Sequence, residues 1–131
     1  MSRHLFEVVI GCYIFNNEGK MLLLENRRGT WGILGGHLEE GETPKDAVIR
    51  EVKEEANIEV KIGPLIAVRT FKNTVGINYV CKYVSGEIKL QVEEVKDFKW
   101  VELGELSNFK LTFPELEELA TKAKTLADAL F

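Results

Sequence analysis

Residues 28–57 constrain the fold most. Gly29, Gly32, Gly35, Gly36 and Gly41 crowd residues 28–42, a density that reads as loop rather than regular structure. A helix signal follows at once. Thr43 suits the N-cap, Pro44 the first helical position, and Asp46 the positive end of the helix dipole. Thr43-Pro44-Lys45-Asp46 is a loose capping box with Asp where Glu or Gln is usual. Ala47, Val48, Val52 and Ala56 recur at helical spacing. Asn57 tolerates the left-handed backbone that ends a helix.

Strand-like segments flank this unit. Residues 5–16 are rich in Val, Ile, Tyr and Phe, Asn16-Asn17-Glu18-Gly19 reads as a hairpin turn, and Lys20–Arg27 as the returning strand. Further strands are expected at about 58–71, 76–84, 87–92 and 98–102. A second helix is expected at 114–130. Its apolar stripe would be Leu116, Leu119, Ala123, Leu126 and Leu130, with Glu117, Glu118, Lys122 and Lys124 towards solvent. Strands interrupted by helices at two separated points predict an α+β domain with a mixed sheet.

The 131 residues fit one domain, 1–131. An apolar fraction of 45% and a charged fraction of 29% exclude a disordered tail, a collagen or a disulfide-framework miniprotein. Seventeen Lys and Arg against 21 Asp and Glu give a net charge of −4. That lacks the basic surplus of a nucleic-acid-coating protein, so no polymer partner is expected. A chain of this charge that handles phosphates needs added cations. The apolar run Val8–Phe15 falls far short of the ~18–20 residues of a membrane span and precedes a turn, so neither a span nor a signal peptide is expected. Cys12 and Cys81 both lie in apolar strand-like stretches and read as buried free thiols, one disulfide being the alternative. The default compartment is the cytoplasm.

The chemistry concentrates in the helix. Glu51, Glu54 and Glu55 are related by i+3 and i+4 and share a face. Their mutual repulsion is only partly offset by Arg50 and Lys53. The cluster reads equally as a solvated acidic face or as a cation site. Carboxylates are hard ligands, so an ion bound there is Mg²⁺, Mn²⁺ or Ca²⁺. Gly35-Gly36 lets backbone approach a ligand closely.

Taken together, Gly36, Glu42 and Arg50-Glu51-Val52-Lys53-Glu54-Glu55-Ala56-Asn57-Ile58 resemble the Nudix box, G-x5-E-x7-R-E-U-x-E-E-x-G-U with U aliphatic. Eight of the nine defined positions match over 23 residues. Asn57 stands where the family has Gly, and Leu34 where it commonly has Pro before the glycine pair. The order of strands and helices extends the resemblance over most of the chain.

The resemblance implies an α/β/α sandwich around a mixed sheet, with the box as loop–helix–loop, and hydrolysis of a nucleoside diphosphate linked to X. It implies Mg²⁺, with Mn²⁺ as substitute, held by Glu51, Glu54 and Glu55 with the Gly35 carbonyl. Arg50 would orient the carboxylates and Glu42 support the loop. Glu51 is the first choice of general base. Glu94, six residues before Trp100, is the later-loop alternative, with Glu93 its competitor. Arg27 would grip a substrate phosphate and Trp31 stack on a base. Arg27 reads almost equally as a solvated strand-end cation, and for Trp31 a loop-anchoring aromatic is the commoner role. His37 reads as a surface histidine.

The resemblance to the MutT-like branch points to a (deoxy)nucleoside triphosphate cleaved to monophosphate and pyrophosphate, a small-molecule substrate, and a homodimer. The alternatives are hydrolysis of another diphosphate such as a nucleotide sugar, or a domain that senses a nucleotide without hydrolysing it. Residues 37–55 hold seven acids and three bases, so this segment accounts for the whole net charge.

Overall fold

The structure, a computed structural model, describes residues 4–131. Strands β1 (Glu7–Phe15), β2 (Met21–Asn26), β3 (Trp31–Gly32), β4 (Leu34–His37), β5 (Glu59–Phe71), β6 (Thr74–Ser85) and β7 (Val95–Val101) form one sheet. Its main path runs β3-β2-β1-β6-β5, with β4 also on β1 and β7 also on β2. Among these strands β1 and β6 pair in parallel, Gly11 opposite Asn78 and Ile14 opposite Cys81. Helices α1 (Pro44–Ala56) and α2 (Leu116–Leu130) cover opposite faces.

Side-chain alternation along β1 divides the core. Ile10, Cys12 and Ile14 pack with Ala47, Val48, Val52 and Ala56 of α1. Tyr13 and Phe15 pack with Leu116, Ala120, Ala123 and Ala127 of α2. The result is the expected α+β sandwich around a mixed sheet. Both cysteines are buried and free. No helix among the described residues is long and apolar enough to cross a membrane.

Four local expectations are corrected. The glycine-rich stretch contains β3 and β4, because glycine lets β4 lie close along β1. A Cβ on Gly35 would strike the Ile10 carbonyl. Residues 87–92 form no strand. Their backbone is spent on the end of α1 instead, Lys89 N–H donating to Ala56 O and Gln91 N–H to Glu55 O. The last strand begins at Val95, and a 3₁₀ turn, Leu103–Asn108, follows it. On α2 the fully buried positions are Leu116, Ala120, Ala123 and Ala127, while Leu130 is exposed. Alanine there lets the helix sit close to the sheet. Lys122 is exposed, as expected, and its Nζ donates to the Ile66 carbonyl at 2.8 Å.

Candidate active site

The local sequence sets α1 with little freedom. The Thr43 hydroxyl accepts the Asp46 N–H and the Asp46 carboxylate accepts the Thr43 N–H, each at 3.2 Å, closing the capping box. At the far end Asn57 takes φ 62°, ψ 32°, and its N–H reaches back to the Lys53 carbonyl. Its side chain donates to Glu87 O at 3.2 Å, tying the helix end to the 87–92 strap.

Arg50 organises the acids. Its Nε and Nη2 bind both oxygens of Glu42 at 3.1 and 2.7 Å. Nη2 also donates to the His37 carbonyl, and Nη1 to Glu51 Oε1 at 2.9 Å and Glu54 Oε2 at 3.1 Å. One guanidinium thereby joins β4, the loop and two turns of α1. Bidentate, charge-assisted bonds of this kind are the strong ones. They hold the Glu42 carboxyl below the usual range, with help from the Glu39 N–H, and push the Arg50 guanidinium up. With both oxygens engaged, Glu42 ties the loop to the helix.

Glu51 is only 12% exposed and lies against Gly36, where a Cβ would collide with its carboxylate. Glu54 is largely exposed. Glu55 sits deepest. Burial, then the charge of Glu51, raise its carboxyl to about 8, against support from the Gly35 backbone N–H, while Glu94 and Glu54 raise it further. Its Oε2 is buried with no hydrogen-bond partner among the described residues.

Two cavities meet beside these acids. One of about 360 Å³ includes Gly35, Gly36, Glu55, Arg69, Asn78 and Glu94 in its lining. The other, about 640 Å³, is lined by Asn26, Arg27, Arg28, Glu93 and Glu94. Asn26 and Glu94 belong to both. The structure therefore brings Gly35, Glu55 and Glu94 to one cleft, with Arg27 at its neighbour. Arg27 Nε donates to the Glu93 carbonyl, which fixes the arginine to the 93–94 turn.

Trp31 lines neither cavity. It packs edge-on against Phe109 at 5.2 Å, and its backbone pairs with Lys110 and Thr112. In this arrangement it anchors the 109–113 segment. His37 lies 3.6 Å from Glu7 at the surface. Arg69, Asn78, Thr112 and Phe113 also line the smaller cavity and escaped the sequence reading. Arg69 and Asn78 have one signal, polar side chains inside strand-like segments, and Thr112 and Phe113 have none.

The residues suit a hard divalent cation. All the donors are oxygens, and the deepest carboxylate has a buried oxygen without a partner. Among the described residues no three acids, imidazoles or thiols stand ready-converged on one point. Arg50 instead spans Glu51 and Glu54. Electrostatically the cleft is an acid cluster waiting for positive charge.

Fold and site define an α+β domain that gathers carboxylates on one helix beside a glycine-containing strand and presents one of them, Glu55, to a cleft flanked by arginines. Comparison with known proteins makes this specific. The NUDIX domain model matches residues 5–123. The chain is 34% identical over 123 residues to the NAD-capped RNA hydrolase NudC of Mannheimia succiniciproducens, covering 86% of this chain and 44% of that protein. A NUDIX-family hydrolase from Clostridium perfringens superposes with a TM-score of 0.81 at 24% identity, covering 97% of this chain and 99% of that one. An ADP-ribose pyrophosphatase from Streptococcus suis does so at 0.75 and 25%, covering 89% and 90%. The chain belongs to the Nudix hydrolase family. That family generally uses divalent metal ions. The chain spans less than half the length of the NudC relative.

Proposed function

We propose that residues 1–131 act as one Nudix domain that hydrolyses a nucleoside diphosphate linked to X. The first substrate class is a (deoxy)nucleoside triphosphate, cleaved to monophosphate and pyrophosphate. The observation that carries this reading is the buried, unpartnered Oε2 of Glu55, a residue lining one cavity that shares Asn26 and Glu94 with a second lined by Arg27 and Arg28. A diphosphate centred there would send its nucleoside into the smaller cavity and its anionic group X towards the arginines.

Glu51, Glu54 and Glu55, with the Gly35 carbonyl, would hold Mg²⁺ or Mn²⁺. Bound there, a divalent ion neutralises diphosphate oxygens, acidifies a water and stabilises the leaving group. The chain's own groups do the rest. Arg50 holds the carboxylates of Glu51 and Glu54 in place. Arg27, fixed at Nε, keeps its remaining N–H groups for a phosphate oxygen. Glu94 faces both cavities and forms no ion pair among the described residues, so its carboxylate is available to take a proton from the attacking water. Glu51 is the rival base, but Arg50 already engages its Oε1.

A second reading comes from the NudC relative, whose name specifies NAD-capped RNA. NAD and an NAD cap present the same diphosphate between two nucleosides, so a polymer end joins the substrate candidates. The homodimer and the cytoplasmic setting are carried as proposals with the family. One assay separates the readings. The protein is incubated with Mg²⁺ and the eight (deoxy)nucleoside triphosphates, NAD, ADP-ribose, a UDP-sugar and NAD-capped RNA, and both products are identified. Pyrophosphate release from a triphosphate is expected, and it falls at least ~100-fold in Glu54→Gln or Glu55→Gln. Tight nucleotide binding with no product in any arm would make the domain a sensor and overturn the hydrolase reading.

A further inference from the structure

Asn78 is out of place by the ordinary rules of a core. It lies in the middle of β6, beside β1 in the parallel pair, and is 4% exposed. Buried polar groups in folded proteins are nearly always hydrogen-bonded, and an unmade bond costs about 1–3 kcal/mol. Its Oδ1 nonetheless has no partner among the described residues. An apolar residue would serve the sheet better. The amide lines the smaller cavity, the one shared with Glu55 and Glu94.

Two glycines lie beside it. Gly11 stands opposite Asn78, and Gly76 opposite Val9. A Cβ on Gly11 would come to 2.8 Å from both Asn78 Nδ2 and Ile33 Cδ1, so the glycine makes room for these two side chains. Gly76 has only ordinary contacts within 4 Å, so no crowding requires it there. Gly11 thereby lets the Asn78 amide lie over β1 in the cavity lining. On the far side Arg69 lies over the Phe113 ring, 3.9 Å from its centroid, with its Nη2 bound to Glu115 at 3.1 Å. The stacked pair makes a planar wall. The volume, about 360 Å³, falls at the small end of ligand pockets.

A planar wall and a single amide suit a flat heteroaromatic ring. An Asn amide offers a donor beside an acceptor, whichever way round its O and N are placed. The edges of nucleobases offer the complementary pair. We propose that Asn78 reads the base of the bound nucleotide, and that this amide sets base preference. The proposal deepens the nucleotide reading above and rests on it. A satisfied site of this kind discriminates because the wrong base leaves the amide unpaired.

The test is binding, which separates it from turnover. The ¹⁵N-labelled protein is titrated with AMP, GMP, CMP, UMP and ribose 5-phosphate in Mg²⁺, following amide resonances and affinity. One base is expected to bind about 10-fold tighter than ribose 5-phosphate and to shift the Asn78 side-chain NH₂ resonances. Asn78→Ala should bring the four monophosphates to within about 3-fold of ribose 5-phosphate, leaving the affinity for ribose 5-phosphate itself unchanged. Gly11→Ala, whose methyl would meet the Asn78 amide at 2.8 Å and push it aside, should lose the base preference likewise and spare ribose 5-phosphate. Melting curves of both variants establish that they are folded. The proposal is overturned if the wild type shows no base preference. It is equally overturned if Asn78→Ala keeps that preference, or weakens ribose 5-phosphate as much as the bases. Base-selective binding without hydrolysis of any substrate would sink the hydrolase reading and leave this one standing. Hydrolysis without base selectivity would do the reverse.

Discussion

Replacing Glu55 by Gln should stabilise the metal-free protein at pH 8. Glu55 is deprotonated near 4.5 in an unfolded chain, but its burial beside Glu51 lifts it to about 8 in the fold. Between those values the folded state holds a proton that the unfolded state has lost. This contribution to stability is therefore fully present below about pH 4.5 and is lost as the pH rises towards 8. A gap of about 3.5 pH units at ~1.36 kcal/mol each is worth roughly 5 kcal/mol, of which about 4 is gone by pH 8. Against a typical total of ~5–15 kcal/mol that is a large fraction. Gln keeps the shape and an acceptor for the Gly35 N–H but never charges. The assay is thermal melting in chelator at pH 5 and pH 8. Glu55→Gln should match the wild type at pH 5 and melt on the order of 10 °C higher at pH 8. Mg²⁺ or Mn²⁺ should then raise the wild type and leave the variant nearly unmoved, since only a ligand that binds the folded state shifts the midpoint. A variant that melts lower than the wild type by the same amount at both pH values would refute the reasoning. That result would mean the carboxylate is satisfied where it lies.

Two further substitutions probe the same architecture. Arg50→Lys keeps the charge but cannot bridge Glu42, the His37 carbonyl, Glu51 and Glu54 together. Turnover should fall ~10²-fold or more with a Tm drop of a few degrees, and wild-type turnover in this variant would show that charge alone suffices. Gly36→Ala places a methyl on the Glu51 carboxylate. The divalent-ion requirement, read as the Mg²⁺ concentration giving half-maximal rate, should rise about 10-fold, whereas an unchanged requirement would free Glu51 from the ligand set.

The helix was legible from its residues because its determinants are local. Thr43, Pro44, Asp46 and Asn57 act within a few residues of themselves, and each takes the cap geometry its chemistry predicts. Asn57 at φ 62° accounts for the absence of the usual glycine. The three acids and Arg50 were legible for the same reason, as i, i+3 and i+4 neighbours. What failed depended on partners far along the chain. Residues 87–92 alternate like a strand, but the competition for their N–H groups is won by the carbonyls of Glu55 and Ala56, 30 or more residues earlier. Gly35 and Gly36 look like loop because nothing local says that β1 lies beside them. The α2 stripe was legible in Leu116, Leu119, Ala123 and Leu126, but the small Ala120 and Ala127 also face the sheet and Leu130 does not. Trp31 carried two readings that only its neighbour Phe109 could separate.

The same distinction explains why the acidic segment persists. Taken by itself, α1 gains nothing from carrying Glu51, Glu54 and Glu55 on one face, and a single arginine cannot pair with all of them. Arg50 satisfies Glu42 with two bonds and Glu51 and Glu54 with one each, and its reach ends before Glu55. Glu55 Oε2 is thus left without a partner, in a side chain that lines the smaller cavity. The four surplus negative charges of residues 37–55 are an obstacle to a nucleotide only while no cation offsets them. Two divalent ions would cancel them, and the arginines of the larger cavity could then act on a phosphate rather than on the protein's own acids.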